Sequence, residues 1–499
     1  MHVYIEFFYV VPPLKVFDIV NLSWRAEKCL FIKIYVDFVQ KLEHMVSSFE
    51  FSPSRIDCHK VLRRRGHSDI ISNLPDNVIE SILGRLPIRD AVRTSILSRS
   101  WRYKWTALPN LVFDVIDADR SIFRLNNNAS QFEDDDELVK VIYRILCQHK
   151  SPILKFRLLI QSMRSYPDVD QWINFLSRNG IREINLECLK EDRYKIHSSL
   201  FSCANLRQLR LQHCVIPSPP PTFNGFNCLT RLIVYSVTVN NEGFENLVAR
   251  CPQLNQLYLI CVDGLDRLNI DHAPKLQSLL FVGSLKYICL KNTPSLSHVT
   301  ISLSQLPDMN ENLWNNGGSI SLINNLDCLS NLKSIVAGFY SLKFLAECRA
   351  RKRLPSTFIH LRSIYISMLM FEDVDSLSCV VGLITSSPNL HKLVVTTCTN
   401  SAAEMETATE YLEGESRSIG GLMKLRYVVM KQISGLGPEM ELMKLILAKS
   451  PSLKQMKIEP DKTVDISSES RILKDLVRFP RASRIAEIIY QNQDHSPAD

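Results

Sequence analysis

Of the 499 residues, the 12 histidines and 14 cysteines are the side chains best suited to nucleophilic or metal chemistry, and their spacing suits neither. There is no C-x-x-C pair and no Cys/His set at zinc spacing. The phosphate loop G-x-x-x-x-G-K-[ST], the dinucleotide turn G-x-G-x-x-G, H-E-x-x-H and G-x-S-x-G are missing too. His213 and His298 fall inside repeated apolar segments, where a solvent-facing or hydrogen-bonded role fits better than ligation. With only 16 glycines the sequence argues against a cofactor-cradling fold. The expectation is a chain that is not an enzyme and holds no cofactor or metal. Cysteines such as Cys214 and Cys398 lie at small apolar positions, as reduced core thiols do, which points to the cytoplasm or nucleus.

What remains is the chemistry of binding, and it is concentrated between Asp69 and Asn110. Ile79, Ile82, Leu83 and Leu86 recur at i, i+3, i+4 and i+7, one apolar stripe of a short helix that Asn73 or Ser72 can open and Pro75 and Asp76 suit. Pro87 stops it, and Asp90 can cap a second helix through Val92, Ile96 and Leu97. Trp101 and Trp105 sit four apart, as if sharing one face of a third helix. Three short helices in about 40 residues have too little interior to bury this much apolar surface. Some of it is left over for a partner, or else the module is simply the helical cap of a larger domain.

Beyond it a motif L-x-x-L-x-L returns many times, as NLRQLRL from Asn205, CLTRLIV from Cys228, QLNQLYL from Gln253 and KLQSLLF from Lys275, and later as HLRSIYI from His360 and SLKQMKI from Ser452. Its first apolar position steps through Ile181, Leu206, Leu229, Leu254, Leu276 and Leu296, at intervals of 25, 23, 25, 22 and 20 residues. Such a period belongs to leucine-rich repeats, each giving one short strand and a returning segment. No unit buries its leucines alone, so units stack into a curved α/β solenoid of parallel strands. Binding then falls to the positions between the leucines: Arg207, Arg210, Arg231, Tyr235 and Tyr258 are the candidates for holding a protein substrate.

The run L-P-D-x-x-I-x-x-I-L-x-x-L-P-x-x-D-x-x-x-T-S-x-L-S-x-x-W-x-x-x-W from Leu74 to Trp105 closely resembles the F-box. That likeness implies docking on the Skp adaptor, and through it on a cullin, by Leu74, Pro75, Ile79, Ile82, Leu83, Leu86, Pro87, Leu97, Ser98, Trp101 and Trp105, with some of these packing inside the module instead. Gly435, Glu441, Leu442, the SPSLKQM run and FPRAS-x-x-AEI resemble the FBD segment of a large plant family of F-box/leucine-rich-repeat proteins. The resemblance implies a substrate receptor of an SCF-type ubiquitin ligase. The alternative is a leucine-rich-repeat scaffold outside ubiquitin transfer.

The organisation expected is an unassigned leader over 1–67, a three-helix F-box module over 69–110, and a solvated linker over 111–150 that includes the acidic run Glu133 to Glu137. Repeats over 151–420 and an FBD-like segment over 421–490, read as an end cap, complete it. A net charge of +7 is small for this length, and its clusters (Arg63 to Arg65; Arg349, Arg351, Lys352 and Arg353) read as solvated surface, with nuclear import as the sharper reading. Nucleic acid is therefore disfavoured as a partner. Glu6, Pro12, Pro13, Lys15 and Asp18 break up the apolar opening, so no stretch suits a membrane span.

Overall fold

The computed structural model describes residues 74–86, 88–114, 133–160, 167–188, 193–285, 287–304, 331–350, 357–398 and 405–491. The leader, Pro87, Arg63 to Arg65, and Arg351, Lys352 and Arg353 lie outside them.

Among the described residues the dominant element is a sheet of fourteen strands, all parallel, each following its neighbour in chain order. It starts at Asn110–Asp114 and ends at Glu487–Tyr490. Alternation along each strand explains it. In Arg231–Tyr235, Leu232 and Val234 are fully buried while Arg231, Ile233 and Tyr235 are half-buried on the opposite, outward face. The same pattern holds in Gln208–Gln212 and Ser278–Gly283. Register aligns the leucines into continuous rows, with Leu209 beside Leu232, Leu232 beside Leu257 and Leu257 beside Leu279. The leading leucines Leu206, Leu229, Leu254, Leu276 and Leu296 are all fully buried.

The turn out of each strand repeats as well. His213, Ser236 and Cys261 each take a left-handed backbone, with φ of 53°, 48° and 52°. Each sends its N–H to the next strand's end, onto Tyr235, Ile260 and Val282 at 3.1, 2.8 and 2.7 Å. Three inter-strand hydrogen bonds thus stabilise a conformation that side chains other than glycine disfavour. From Phe339 onward the return segments are helices, such as Val374–Thr385, whose buried Leu377, Val380, Val381 and Ile384 cover the sheet's inner side.

Two expectations are corrected. The supposed linker is structured: Asn110–Asp114 pairs with Lys155–Ile160, and Glu133–Gln148 is a helix burying Ile142, Ile145 and Leu146. That helix reads as solvated from its acidic start, but its apolar residues follow at i, i+3 and i+4. The FBD-like segment continues the same sheet through Tyr427–Ile433, Gln455–Pro460 and Glu487–Tyr490, as its copies of the repeat motif imply. Its last helix, Ile466–Arg478, leaves Ile466 and Val477 exposed, unlike the polar outer face of a repeat cap.

Gly435 and Glu439 account for how that segment folds. The Glu439 carboxylate is fully buried and accepts from the backbone N–H groups of Ser434, Gly435 and Leu436 at 2.9, 2.7 and 3.1 Å, and from the Thr397 hydroxyl at 3.1 Å. Burial pushes this carboxyl above its usual range, although the four hydrogen bonds favour the ionised form. Gly435 has φ of 78°, and a Cβ there would come within 2.5 Å of Ile472. Both the backbone angle and the close approach require glycine.

Candidate functional site

The F-box-like module carries two α-helices, Asp76–Leu83 and Ile88–Arg93, then 3₁₀ turns at Thr94–Ile96 and Lys104–Ala107. The expected third α-helix is absent among the described residues. Serine and threonine side chains take up backbone carbonyls there: Ser95 donates to Arg102 at 2.9 Å, and Thr106 to Tyr103 at 2.6 Å. Such local bonds compete with helix formation. Asp90 lies within the first turn of its helix rather than at the cap, and pairs with Arg93 at 3.5 Å.

The structure divides the eleven candidate adaptor residues into two sets. Ile79, Leu83, Trp101 and Trp105 are buried, as are Leu108 and Leu111. These four form the interior on which the module rests, and burial takes them off its surface. Ile82, Leu86 and Ser98 are half-buried, and Leu97 is 53% exposed. Leu74 is half-buried and Pro75 exposed, while Pro87 lies outside the described residues. Sequence reasoning missed Ile96, which is 89% exposed, together with Tyr103 and Val78. The signal was present: adjacent apolar residues such as Ile96 and Leu97 cannot both face inward on a short helical turn. An ion pair between Lys104 and Asp76 at 2.6 Å ties the second 3₁₀ turn to the first helix.

On the sheet's outward face, Arg207 stands exposed at a strand entrance, where its carbonyl accepts from Thr230 and Arg231. Arg231 is tied down, its Nε donating to Gln256 at 2.6 Å. Tyr235 is half-buried, edge-on to the His213 ring. Tyr258 is a correction: it is 7% exposed, flanked in register by Ile233 and Leu280. Arg210 faces Glu187 at 3.6 Å, and Arg157 reaches the same carboxylate oxygen at 3.7 Å. Glu187 and Arg157 were not among the candidates, although both occupy outward positions of strands that precede the clearest repeats.

The half-buried His213 has its pKa lowered by burial and then by Arg193, which favours the neutral ring. Burial raises the thiols of Cys188, Cys203 and Cys251 to about 12, so they stay protonated core residues. Cys214 is a buried free thiol and Cys398 a half-buried one. Among the described residues no three His, Cys, Asp or Glu side chains gather as a metal site, and no helix is long and apolar enough to cross a membrane.

The F-box domain model matches residues 71–113, and the model for the leucine-rich repeats of the FBD-associated F-box protein At5g56370 matches residues 169–314. F-box/FBD/LRR-repeat protein At1g13570 of Arabidopsis thaliana is 35% identical over 422 residues, covering 85% of this chain and 98% of that protein. F-box/LRR-repeat protein At3g03360 of the same plant is 24% identical over 385 residues, covering 70% of this chain and 75% of that protein. The solved leucine-rich-repeat protein LIC12759 of Leptospira interrogans shares 12% identity over 70% of this chain and 86% of its own, at a TM-score of 0.28. The repeat architecture rests instead on the strand register above. An F-box motif, an unbroken row of repeat strands and a relative matched along nearly its whole length together place the chain in the F-box/FBD/LRR-repeat family.

Proposed function

We propose that this chain is the substrate-recognition subunit of an SCF-type ubiquitin ligase, with the F-box module held by a Skp adaptor and the sheet's outward face holding a protein substrate. The supporting observation is the exposed pair Ile96 and Leu97, in a module whose own interior is already filled by Ile79, Leu83, Trp101 and Trp105. Apolar side chains left in water beside a filled core are the kind of anchor a partner covers. The subunit supplies no chemistry. It raises the local concentration of a substrate lysine beside a charged conjugating enzyme.

The test is capture of the purified Skp adaptor by the full chain and by Ile96→Asp/Leu97→Asp. The wild type retains the adaptor; the variant, folded to the same midpoint in thermal unfolding, loses it. Retention by a folded variant overturns the adaptor reading. The second reading, a binding scaffold without ubiquitin transfer, draws on the burial of both tryptophans. Failure of the wild type to hold any Skp adaptor would favour it.

A further inference from the structure

The outward face of the sheet is chemically divided along its length, and the division carries a substrate class. Strand register places the second outward position of successive strands side by side. From Arg231–Tyr235 to Lys392–Thr397 that row includes the half-buried Ile233, Leu280 and Tyr365, with Tyr258, Val336 and Val394 buried between them. Neither this row nor the one beside it, through Tyr235, Ile260 and Val282, has a charged residue among the described residues until Lys431 in Tyr427–Ile433.

Each end of this uncharged trough is closed by the same device. At the N-terminal end Arg157 and Arg210 converge from two strands on the single carboxylate of Glu187, which also accepts from Asn185 at 3.1 Å. At the C-terminal end Lys431 and Lys457 converge on Glu459, at 3.5 and 2.8 Å. Two cations share one carboxylate at each place, so each cluster has a surplus positive charge. Both carboxylates are nearly buried, and the cations around them are only a quarter to a third exposed, which leaves the surplus poorly screened. At the arginine end Arg157 Nε and Arg210 Nε are buried with no hydrogen-bond acceptor. Arg210 Nε is the atom that stands 3.6 Å from Glu187, too far for a hydrogen bond, and the two side chains keep 23% and 27% of their surface open to an incoming anion.

We infer that the sheet holds an extended protein segment that is apolar in its middle and carries a carboxylate near each end. This deepens the reading of the face as the substrate surface and is independent of adaptor docking. Arg210 and Lys431 are eight strand spacings apart in the sheet order, or roughly 38 Å at about 4.8 Å per strand. A chain laid across the strands covers that in about twelve residues at ~3.3 Å each. The two carboxylates are therefore separated by about that many positions. A basic segment is rejected at both ends, and a nucleic acid would meet an uncharged middle.

The experiment displays a library of peptides with a randomised twelve-residue centre, and with Glu, Gln or Lys fixed at both ends, to the immobilised full chain. Enrichment of Glu-ended peptides with apolar centres supports the inference. No enrichment, or equal enrichment of Gln- and Lys-ended peptides, overturns it. For an enriched peptide, fluorescence anisotropy should show binding about tenfold weaker to Arg157→Gln/Arg210→Gln and to Lys431→Gln/Lys457→Gln, each effect vanishing when Glu at the matching end is replaced by Gln. Glu187→Gln provides a readout of opposite sign, since removing the competing carboxylate tightens the peptide several-fold; weaker or unchanged binding counts against the inference. Skp capture is measured on the wild-type chain alongside the library. No selectivity for Glu-ended peptides with Skp retained sinks this inference alone, and no Skp capture with that selectivity present sinks the ligase reading alone.

Discussion

The module from Asp76 to Leu108 and the fourteen-strand sheet solve the same problem in opposite ways. The sheet closes its apolar surface by repetition: Leu209, Leu232, Leu257 and Leu279 stand in one fully buried row because every strand has a neighbour with the same pattern. The module has no neighbour of its own kind. It fills a small interior with Ile79, Leu83, Trp101 and Trp105 and leaves Ile96 at 89% exposure. The array exposes apolar side chains too, Ile466 and Val477 among them, but outside its leucine rows, whereas a unit this small keeps some in view beside its core. The difference assigns stability to the repeated rows and adaptor docking to the module.

The largest expected effect tests the stability half. Leu232→Ala removes a fully buried side chain flanked in register by Leu209 and Leu257. It should cost about 3 to 4 kcal/mol in denaturant unfolding. Because strands couple to their neighbours, the loss should appear across the sheet and leave Skp capture intact once the chain is folded. A cost under about 1 kcal/mol would break the picture of a continuous core.

The docking half predicts the reverse pairing. Ile96→Asp alone should change unfolding stability by less than about 0.5 kcal/mol, as exposed positions do. It should also weaken Skp binding roughly thirtyfold to a hundredfold, the scale of one interface anchor. A large loss of stability instead would move Ile96 into the core set and erase the contrast.

How far this contrast was legible in the sequence differs between the two regions for a physical reason. The leucine rows follow from spacing alone, since a strand with period two has a single way to bury alternate residues. Even the start of the sheet was hidden, however, because Asn110–Asp114 precedes the first recognisable repeat. In the module, the motif located the surface but not which of its residues are inside. Leu83 and Leu86 look alike in sequence, yet one is fully buried and the other half-buried. Packing of non-repeating turns decides that, and Ser95 and Thr106 had already replaced the expected third helix with 3₁₀ turns. On the outward face, Arg210 was readable as a candidate. Its sharing of Glu187 with Arg157 was not, because those residues meet only through register between strands.

Within the sheet region the C-terminal continuation adds a buried polar contact to its repeated apolar rows. Glu439→Ala leaves three backbone N–H groups without their acceptor and should cost about 2 kcal/mol or more, while Glu439→Gln, which retains one oxygen, should cost less. The pH dependence has a definite sign. Burial raises the folded-state pKa above the unfolded value, so the folded state binds the extra proton and this group's contribution falls as pH rises from about 4.5 through the raised pKa. Urea midpoints of Glu439→Gln measured across that window should lose this part of the slope. An unchanged slope would assign it to other carboxylates.

The smallest effect separates a helix end from the body of the sheet. Asp465 caps Ile466–Arg478, accepting from the Ser468 N–H at 3.0 Å and the Ser467 hydroxyl at 2.7 Å. Hydrogen bonds from Ser468, then Ser467, lower its carboxyl to about 2. A depressed folded-state pKa contributes stability that is fully present above the unfolded value near 3.8 and is lost as pH falls toward 2. Since Asp465 is fully exposed, water and salt screen most of this, so Asp465→Ala should lower the unfolding midpoint only slightly at pH 7. Amide exchange should increase in the first turn of that helix and not in Gln455–Pro460. Matching protection losses in both elements would show that the helix and sheet unfold as one unit, and the contrast between repeated and singular contacts would then stop short of the C-terminal end.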